Sequence, residues 1–556
     1  MRPIARRLFS LPSSERPLVA ALALSVITAL ASAQDSHKDE RLGFKLKVPR
    51  GWEQIPLRSD EKWIVGRYRS PKAETTVSPA TGYMITHNPE LQIVALLHRT
   101  AKPKKPETGE GKPEGEGAEE KDEKKAEPEK FYRNYAEYMK ECYGRGHFVD
   151  KEESGTFAGL PVTKIEIKAE RDTYQAEMRV FAWVFETEVA DIAVQIEVMA
   201  ESQKKLRSTI DDVLKSFAVI PRTEPLETGA AEASFLSAAE LANLPPAERK
   251  AKRIEAQRHE WERMTKDLPE GWTASEIDGV YVVNHADSNY AKKIVEHIKA
   301  IYAWLDVTFP EVGKFEYARL PIVRICEDQE EEYTFRNGSG GYWDGGTQLV
   351  THKGNKTWWD LEWDYIGSRT LGIWFQERDP KIWGALPRWL TIGLDEVLGG
   401  AQMQSGKLVF DKGDREKWWL DNLAKEEEFL STRTLLTLTR DDYDGFFKRD
   451  DWNVWSQSVS FTRYLVEARS KKTRQILTDY VGSLHKVLSA LESQDGQDKE
   501  KAPPKNEAEE EALYKKRQEW LKSRERAILD QGLAGAFPGW TPADWKSLDR
   551  EFRRSL

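Results

Sequence analysis

Residues 358–400 read WWDLEWDYIGSRTLGIWFQERDPKIWGALPRWLTIGLDEVLGG, and this stretch decides the fold of the second half of the chain. Apolar residues recur at helical spacing over its first part until Pro380 breaks the pattern. A second helix is predicted to begin near Pro387, because proline suits a first helical position. Gly399 and Gly400 are expected to end this helix, since glycine accepts the left-handed backbone of a helix C-cap. The stretch therefore predicts two helices joined by a loop.

This helix pair resembles the catalytic core of gluzincin metallopeptidases, in particular bacterial peptidase-MA-like proteins. In that family the first helix carries HExxH, and the second carries a phrase similar to LPxWLxEGLAEY, whose first glutamate is the third zinc ligand. Residues 386–397, LPRWLTIGLDEV, match the second phrase except that Ile392 stands at the ligand position. The HExxH register falls on residues 368–372, SRTLG. The resemblance implies a gluzincin-like scaffold that lacks the chemistry of the family.

Each position that zinc chemistry needs carries an unsuitable residue. Two histidines four residues apart on a helix can hold one zinc ion, with the glutamate between them as the base. Ser368 and Gly372 occupy the two histidine positions, and Arg369 occupies that of the base. The fixed positive charge of Arg369 would repel a metal, and Ile392 offers no lone pair. We therefore expect no metal, no cofactor and no catalysis at these positions.

The resemblance also predicts what replaces the zinc site. Arg369 is expected to pair with Asp395 or Glu396 and so to hold the two helices together. In the family, an edge strand before the metal-binding helix lines the substrate groove. The candidate groove residues are Gly341, Tyr342 and Trp343. The predicted function is that of a pseudopeptidase, which binds a peptide, a protein or a cell-envelope component without cleaving it.

Two enzymatic interpretations remain open. Paired carboxylates could run glycoside hydrolysis, and acidic residues are available near the helix pair: Asp344, Asp360, Asp364, Asp395 and Glu396. An active zinc peptidase could recruit distant ligands instead, although no spacing supports it. The available histidines are His285, His297 and His352. A structural role for the whole chain is also compatible with the residues.

The N-terminus has the pattern of an export signal. Basic residues precede an apolar run from Leu18 to Leu30, and Ala31-Ser32-Ala33 provides a small-residue cleavage site. We therefore predict export to the periplasm or the extracellular space, with cleavage near Ala33 and no transmembrane span in the mature chain. An uncleaved membrane anchor is the alternative.

Composition limits the remaining functions. The 556 residues are enough for two or three domains, and 32% are charged while 39% are hydrophobic. The net charge is −9 with acids and bases interspersed, so no basic stripe indicates a nucleic-acid partner. The two cysteines, Cys142 and Cys326, are expected in different domains. A disulfide between them is permitted in an exported protein but is not implied.

The first domain is predicted to contain an antiparallel sheet. Phe44 and Leu46 alternate with lysines, and alternation recurs over residues 174–184 and 192–198. Ser202 is expected to cap the helix that follows. The segment from residue 43 to 52, with the closing strand and helix, loosely resembles PsbP-like and Mog1-like modules. That resemblance implies a binding or assembly domain without catalysis.

The fold class is predicted to be α+β, with an antiparallel-sheet α/β sandwich followed by a gluzincin-like mixed α/β domain that ends in a mostly helical subdomain. The insertions over residues 102–130 and 493–510 are rich in charged residues, and we expect them to be disordered. The predicted segments are a signal peptide over 1–33, the PsbP- or Mog1-like domain over 34–222, a linker with a charged helix over 223–270, and the peptidase-MA-like domain over 271–556.

Overall fold

The computed structural model confirms an α+β fold. The structure describes residues 36–58, 61, 63–77, 82, 84–98, 135–143, 147–171, 176–223, 244–312, 319–335, 348–354, 365–410, 417, 419, 421, 423, 429–448, 452–494 and 507–556. The chain divides into two compact units, residues 1–57 with 61–229 and residues 58–60 with 230–556. None of the described helices is long and apolar enough to cross a membrane. The predicted signal peptide and the insertion over 102–130 lie outside the described residues.

The first unit is built on a seven-stranded antiparallel sheet with the strand order β3-β4-β7-β11-β10-β9-β8. Its strands are β3 (Glu53–Gln54), β4 (Ile64–Arg69), β7 (Glu90–Leu97), β8 (His147–Phe157), β9 (Leu160–Arg171), β10 (Ala176–Glu186) and β11 (Ala190–Met199). Two smaller sheets accompany it, made of β1 (Ser36–Asp39), β2 (Phe44–Lys47) and β12 (Ala218–Val219), and of β5 (Glu74–Val77) and β6 (Met84–His87). The helices are α1 (Tyr135–Tyr143) and α2 (Gln203–Leu214).

Strand β11 is buried on both of its faces. Its alternation of apolar and polar residues is typical of a strand with one solvated face, but here the polar positions are buried as well. Asp191 contacts the His98 ring at 2.9 Å, and Gln195 donates to the Gln92 side chain at 2.8 Å. These bonds satisfy polar groups that would otherwise be costly to bury.

Helix α2 begins differently from the prediction. Ser202 occupies the N-cap position, but its side chain makes no capping bond. A 3-10 turn over Ala200–Ser202 leads into the helix and places Ser202 in a helical conformation with φ −89° and ψ −10°. A capping side chain needs an extended backbone at that position, so the expected cap does not form.

The second unit combines a four-stranded sheet with helices. The sheet has the order β13-β14-β15-β16, with β13 antiparallel to β14 and the other pairs parallel. The strands are β13 (Thr273–Ile277), β14 (Val280–Asn284), β15 (Ile322–Cys326) and β16 (Gln348–His352), and the hairpin strands are β17 (Ala401–Gln404) and β18 (Lys407–Phe410). The helices before the hairpin are α3 (Pro246–Thr265), α4 (Ser288–Thr308), α5 (Gln329–Phe335), α6 (Tyr365–Arg378), α7 (Pro380–Ala385) and α8 (Arg388–Gly399).

The part after the hairpin is helical in its described residues. Its helices are α9 (Thr432–Leu436), α10 (Arg440–Phe447), α11 (Asn453–Glu467), α12 (Lys471–Gln494), α13 (Glu507–Ala536) and α14 (Pro542–Ser555). The insertion predicted over 493–510 therefore has helical ends, because α12 continues to Gln494 and α13 begins at Glu507. Residues 495–506 lie outside the described residues.

The ends of the predicted helices are only partly as expected. The predicted loop between α6 and α8 contains the short helix α7, which Asp379 caps. Pro387 is the N-cap of α8 and precedes its first helical residue, and Gly400 has φ −87°. The prediction of a left-handed glycine at the end of α8 is therefore wrong.

Candidate functional site

Helices α6 and α8 meet at a backbone contact that only glycine permits. A Cβ atom at Gly367 would lie 1.9 Å from the carbonyl oxygen of Leu398, far inside any van der Waals distance. Helix α8 also packs closely against α11. A Cβ atom at Gly393 would lie 2.0 Å from Oγ1 of Thr462. These contacts fix α8 between two neighbouring helices, so the side chains at the predicted zinc positions are held by packed backbone.

At the three predicted zinc-ligand positions, the structure shows one side-chain hydrogen bond and two buried residues. Ser368, at the first histidine position, donates its hydroxyl hydrogen bond to the Asp395 carboxylate on α8. Gly372, at the second, is buried. Ile392, at the third ligand position, is 8% exposed and belongs to the hydrophobic core. A hydroxyl–carboxylate bond and apolar packing therefore connect α6 to α8 here.

Arg369, at the predicted position of the catalytic base, is 5% exposed. Its Nη1 donates to the carbonyl oxygen of Val350 at 2.8 Å, which connects α6 to strand β16. Glu396 is also buried, at 3% exposure, whereas Asp395 is half-buried and accepts the Ser368 hydroxyl. The predicted pairing of Arg369 with Asp395 or Glu396 stays a prediction.

The predicted groove residues Gly341, Tyr342 and Trp343 lie outside the described residues, as do Asp344, Asp360 and Asp364. Strand β16 follows them, and all five of its residues are buried. Among the described strands it stands at the end of the sheet, beyond β15. Strand β16 is therefore the first described strand after the candidate groove residues in the sequence.

A buried polar cluster on β15 and β16 was missed by the sequence analysis. Val323 and Leu349 point into the main core of the unit, so Arg324 and His352, at alternate positions, lie on the other face. Helix α5 packs against both strands there. Nδ1 of His352 contacts the Glu332 carboxylate, and both side chains are buried.

Arg324, on the same face of the sheet, is fully buried. Its guanidinium lies 4.0 Å from the ring centre of Phe335 and 5.4 Å from that of Trp272, so aromatic faces supply part of its environment. The sequence feature that could have predicted this cluster is Arg324 inside the apolar strand sequence IVRIC, because a buried charged residue requires a partner. An imidazole held by a carboxylate is an arrangement that can hold and transfer a proton.

The histidines considered as zinc ligands do not converge among the described residues. His285 pairs with Glu331 at 2.7 Å and stacks on Trp272, while His352 pairs with Glu332. His297 lies buried on α4. Within the described ranges, no group of three histidine, cysteine, aspartate or glutamate side chains could hold a metal ion.

Cys326, at the end of β15, is a free thiol in the core. Burial raises its pKa well above the ordinary value, and Arg324 opposes this shift without cancelling it. A thiol of this kind stays protonated and is a poor nucleophile. The side chain of Cys142 lies outside the described residues.

Comparisons with known proteins show weak similarities of fold. The solution structure of the cyanobacterial PsbP of Synechocystis sp. PCC 6803 matches with a TM-score of 0.21 and 11% identity over 33% of this chain and 91% of its own. PA94 of Pseudomonas aeruginosa, a protein of unknown function and putative regulator, matches with a TM-score of 0.17 and 11% identity over 32% and 92%.

LpqN of Mycobacterium tuberculosis, which is involved in cell envelope biogenesis, matches with a TM-score of 0.19 and 10% identity over 32% of this chain and 83% of its own. Scores this low carry no argument about function. No protein-family model and no curated protein matches the chain. The gluzincin resemblance of the second half therefore stays a prediction from the residues at 368–372 and 386–397.

Proposed function

We propose that the protein is an exported pseudopeptidase, which keeps a metallopeptidase-like helix pair and binds a peptide, a protein or a cell-envelope component without hydrolysing it. The observation that carries this proposal is the bond from Ser368 to Asp395, together with the burial of Ile392 in the core. A catalytic zinc needs three protein ligands and an open position for water. At the positions that would supply them, the helices are closed by a hydrogen bond and by apolar packing.

Arg369 supports the loss of catalysis independently. A metallopeptidase base must accept a proton from the zinc-bound water, whereas a guanidinium stays charged and accepts no proton at physiological pH. The arginine is also engaged with the carbonyl oxygen of Val350. Its contact with β16 gives Arg369 a structural role next to the strand that follows the candidate groove residues in the sequence.

The proposed export rests on residues 1–33 alone. A basic start, an apolar run and Ala31-Ser32-Ala33 together support secretion and cleavage. The likeness to LpqN is too weak to argue for an envelope role. N-terminal sequencing of the protein from its native host checks the proposal: a start near Gln34 is expected, and an intact Met1 on a cytosolic protein would refute it.

A peptide-binding experiment tests the proposed function. The mature protein is screened against an immobilised random-peptide array, and the enriched peptides are then titrated by fluorescence anisotropy while mass spectrometry follows their integrity. We expect saturable binding of intact peptides that weakens in Trp343→Ala, because Trp343 is a candidate groove residue. Trp452→Ala, which removes an exposed tryptophan at the start of α11, serves as the control. Cleavage of the peptides, or equal binding by both variants, would contradict the proposal.

A further inference from the structure

A second candidate site lies in the helical part of the second unit. A cavity of about 410 Å³ is lined by the end of α7, the start of α8, and helices α10 and α13. This volume lies within the range of about 300–1,000 Å³ that is usual for small-molecule sites. Its lining carries charged side chains of both signs and the apolar side chains of Leu521 and Ile528. The cavity is therefore large enough for a ligand with two opposite charges and a short apolar side chain.

Two arginines form the positive part of the wall. Nη2 of Arg440 donates to the carbonyl oxygen of Gly384 at 2.8 Å, which fixes the guanidinium at the cavity. Arg388 lies 3.7 Å from Asp444, and both side chains are nearly half exposed, so this ion pair is loose. A guanidinium has five N–H donors. The two arginines therefore keep donors for the planar, bidentate recognition of a carboxylate.

Glu525, on α13, is one of four acidic residues of the wall, with Asp441, Asp444 and Glu519. It accepts the backbone N–H of Arg440 at 2.9 Å. Burial raises the pKa of Glu525, and the nearby charges of Asp441 and Asp442 raise it further, although the Arg440 backbone bond and charge oppose the shift. A positive group placed beside Glu525 would stabilise its charged carboxylate, which burial destabilises. Asp441, which also lines the cavity, pairs with the exposed Lys522 at 3.1 Å.

The walls of the cavity are held by contacts outside it. The first turn of α10 has a complete capping box, in which Thr439 and Asp442 exchange side-chain and backbone hydrogen bonds. Arg526 of α13 donates to the carbonyl oxygen of Thr437 at 2.8 Å and pairs with Asp442. Helices α10 and α13 are thus connected just beyond Glu525, so the charged groups are arranged before a ligand arrives.

We propose that this cavity binds a small zwitterion, namely an amino acid or a short peptide with free termini. Arg388 and Arg440 receive its carboxylate, Glu525 receives its ammonium group, and the side chains of Leu521 and Ile528 receive an apolar side chain. The site is separate from the ligand positions on α6 and α8, and it requires no catalysis at either place. Its existence does not depend on the proposed peptide groove.

Calorimetric titration of the full mature chain tests the site with the dipeptide alanyl-leucine, its N-acetylated form and its C-terminal amide. The free dipeptide should bind at least about tenfold more tightly than either blocked form, because each blocked form lacks one charge-assisted contact. Arg440→Gln and Glu525→Gln should each weaken binding by a similar factor. Glu525→Gln keeps an oxygen that accepts the Arg440 N–H and removes only the charge.

Arg474→Gln, on the exposed side of α12, is the matched control and should bind as the unchanged protein does. Arg388→Gln replaces the Arg440 test if circular dichroism shows that Arg440→Gln does not fold, because Arg388 is nearly half exposed. Failure of the free dipeptide to bind at millimolar concentration would overturn the proposal. Equal affinity for the free and blocked forms, or unchanged affinity in the cavity variants, would also overturn it.

Discussion

The hydroxyl of Ser368 on α6 donates a hydrogen bond to the carboxylate of Asp395 on α8. This bond connects the helices at the position where a gluzincin would carry its first zinc-binding histidine. With Gly367 against Leu398 one residue earlier, it shows that α6 and α8 are held together by direct contact. The helix pair therefore has a physical basis for its stability that does not require zinc.

The glycine at this crossing gives the first prediction. Gly367→Ala should lower the free energy of unfolding of the second unit by about 2 kcal/mol or more, because the added Cβ meets backbone that has no room to move. Gly482→Ala on α12 is the control, since its Cβ would lie 3.5 Å from the nearest side-chain carbon, Cγ of Glu311. The control should be neutral or stabilise the unit by up to about 1 kcal/mol. Chemical denaturation measures the free energy of unfolding of both variants. Similar values for the two would contradict the close backbone contact between α6 and α8.

Arg369 gives the second prediction. Arg369→Ala should destabilise the second unit by about 1–3 kcal/mol, because it removes a buried donor and leaves the carbonyl oxygen of Val350 without this partner. Gln376→Ala, on the exposed side of the same helix, should change stability by less than about 0.5 kcal/mol. Double-mutant cycles of Arg369→Ala with Asp395→Asn and with Glu396→Gln measure the predicted pairing. Additive effects in both cycles would contradict the predicted pairing. Unchanged stability of Arg369→Ala would contradict the structural role of Arg369.

Glu377, near the end of α6, gives a pH-dependent prediction. It pairs with Arg319 at 2.7 Å and with Arg253, and its side chain is 8% exposed. Burial alone would raise its pKa, but the hydrogen bonds and charge of Arg319 and the charge of Arg253 hold the pKa of Glu377 below its ordinary value. Its stabilisation is therefore fully present above the pKa of the unfolded chain, about 4.3, and is lost as the pH falls through the lower pKa of the folded state.

Glu377→Gln should accordingly destabilise the second unit by about 3 kcal/mol at pH 7, because it leaves two arginines without their carboxylate. The difference from the unchanged protein should shrink as the pH falls below about 4. Glu262→Gln, which removes an exposed ion pair with Arg258 on α3, should cost less than about 1 kcal/mol. Urea denaturation between pH 3 and 7 measures these values. A difference between the Glu377 variant and the unchanged protein that stays constant with pH would contradict the assignment.

The long charged insertion of the first unit gives a deletion prediction. Replacing residues 102–130 by a short glycine-serine bridge should leave the thermal midpoint nearly unchanged, because the segment has no valine, isoleucine, leucine or aromatic residue to add to a core. Deleting residues 135–143 is the contrasting change, since Tyr138 and Met139 of α1 are buried in the core of this unit. Calorimetric scanning compares the two. A fall of more than several degrees on the first deletion would show that the insertion packs.

Local patterns in the sequence were sufficient for much of the fold. Strands β2, β10 and β11 follow from their alternation, and the start of α8 follows from the position of Pro387. Helix α7 was missed because six residues are too short to show a helical period. The burial of the polar face of β11 was missed for a different reason: alternation is the same whether water or another element covers that face.

The contacts at the candidate sites depend on residues that are distant in sequence. The sequence shows only that Ser368 stands where the family carries a histidine. Its hydrogen bond to Asp395 depends on the rotation of α8 relative to α6, which the sequence does not give. Arg324, Glu332 and His352 come from three different elements. The cavity requires α7, α8, α10 and α13 together. Sequence periodicity predicts which elements form, whereas these sites depend on how the elements pack.

A variant that carries the four family residues provides a positive control for the zinc measurement. Ser368→His, Arg369→Glu, Gly372→His and Ile392→Glu together rebuild the HExxH motif and its third ligand on α6 and α8. If the two helices keep gluzincin geometry, the folded quadruple variant should take up about one zinc ion per chain, as a site with three protein ligands does.

Elemental analysis of the unchanged mature protein, after equilibration with zinc and dialysis, tests the central claim most directly, together with a peptide-library cleavage assay. We expect far less than one zinc ion per chain and no cleavage, because Ser368, Arg369, Gly372 and Ile392 supply neither the ligands nor the base that catalysis requires. One equivalent of tightly held zinc, with peptide cleavage that a chelator abolishes, would contradict the account.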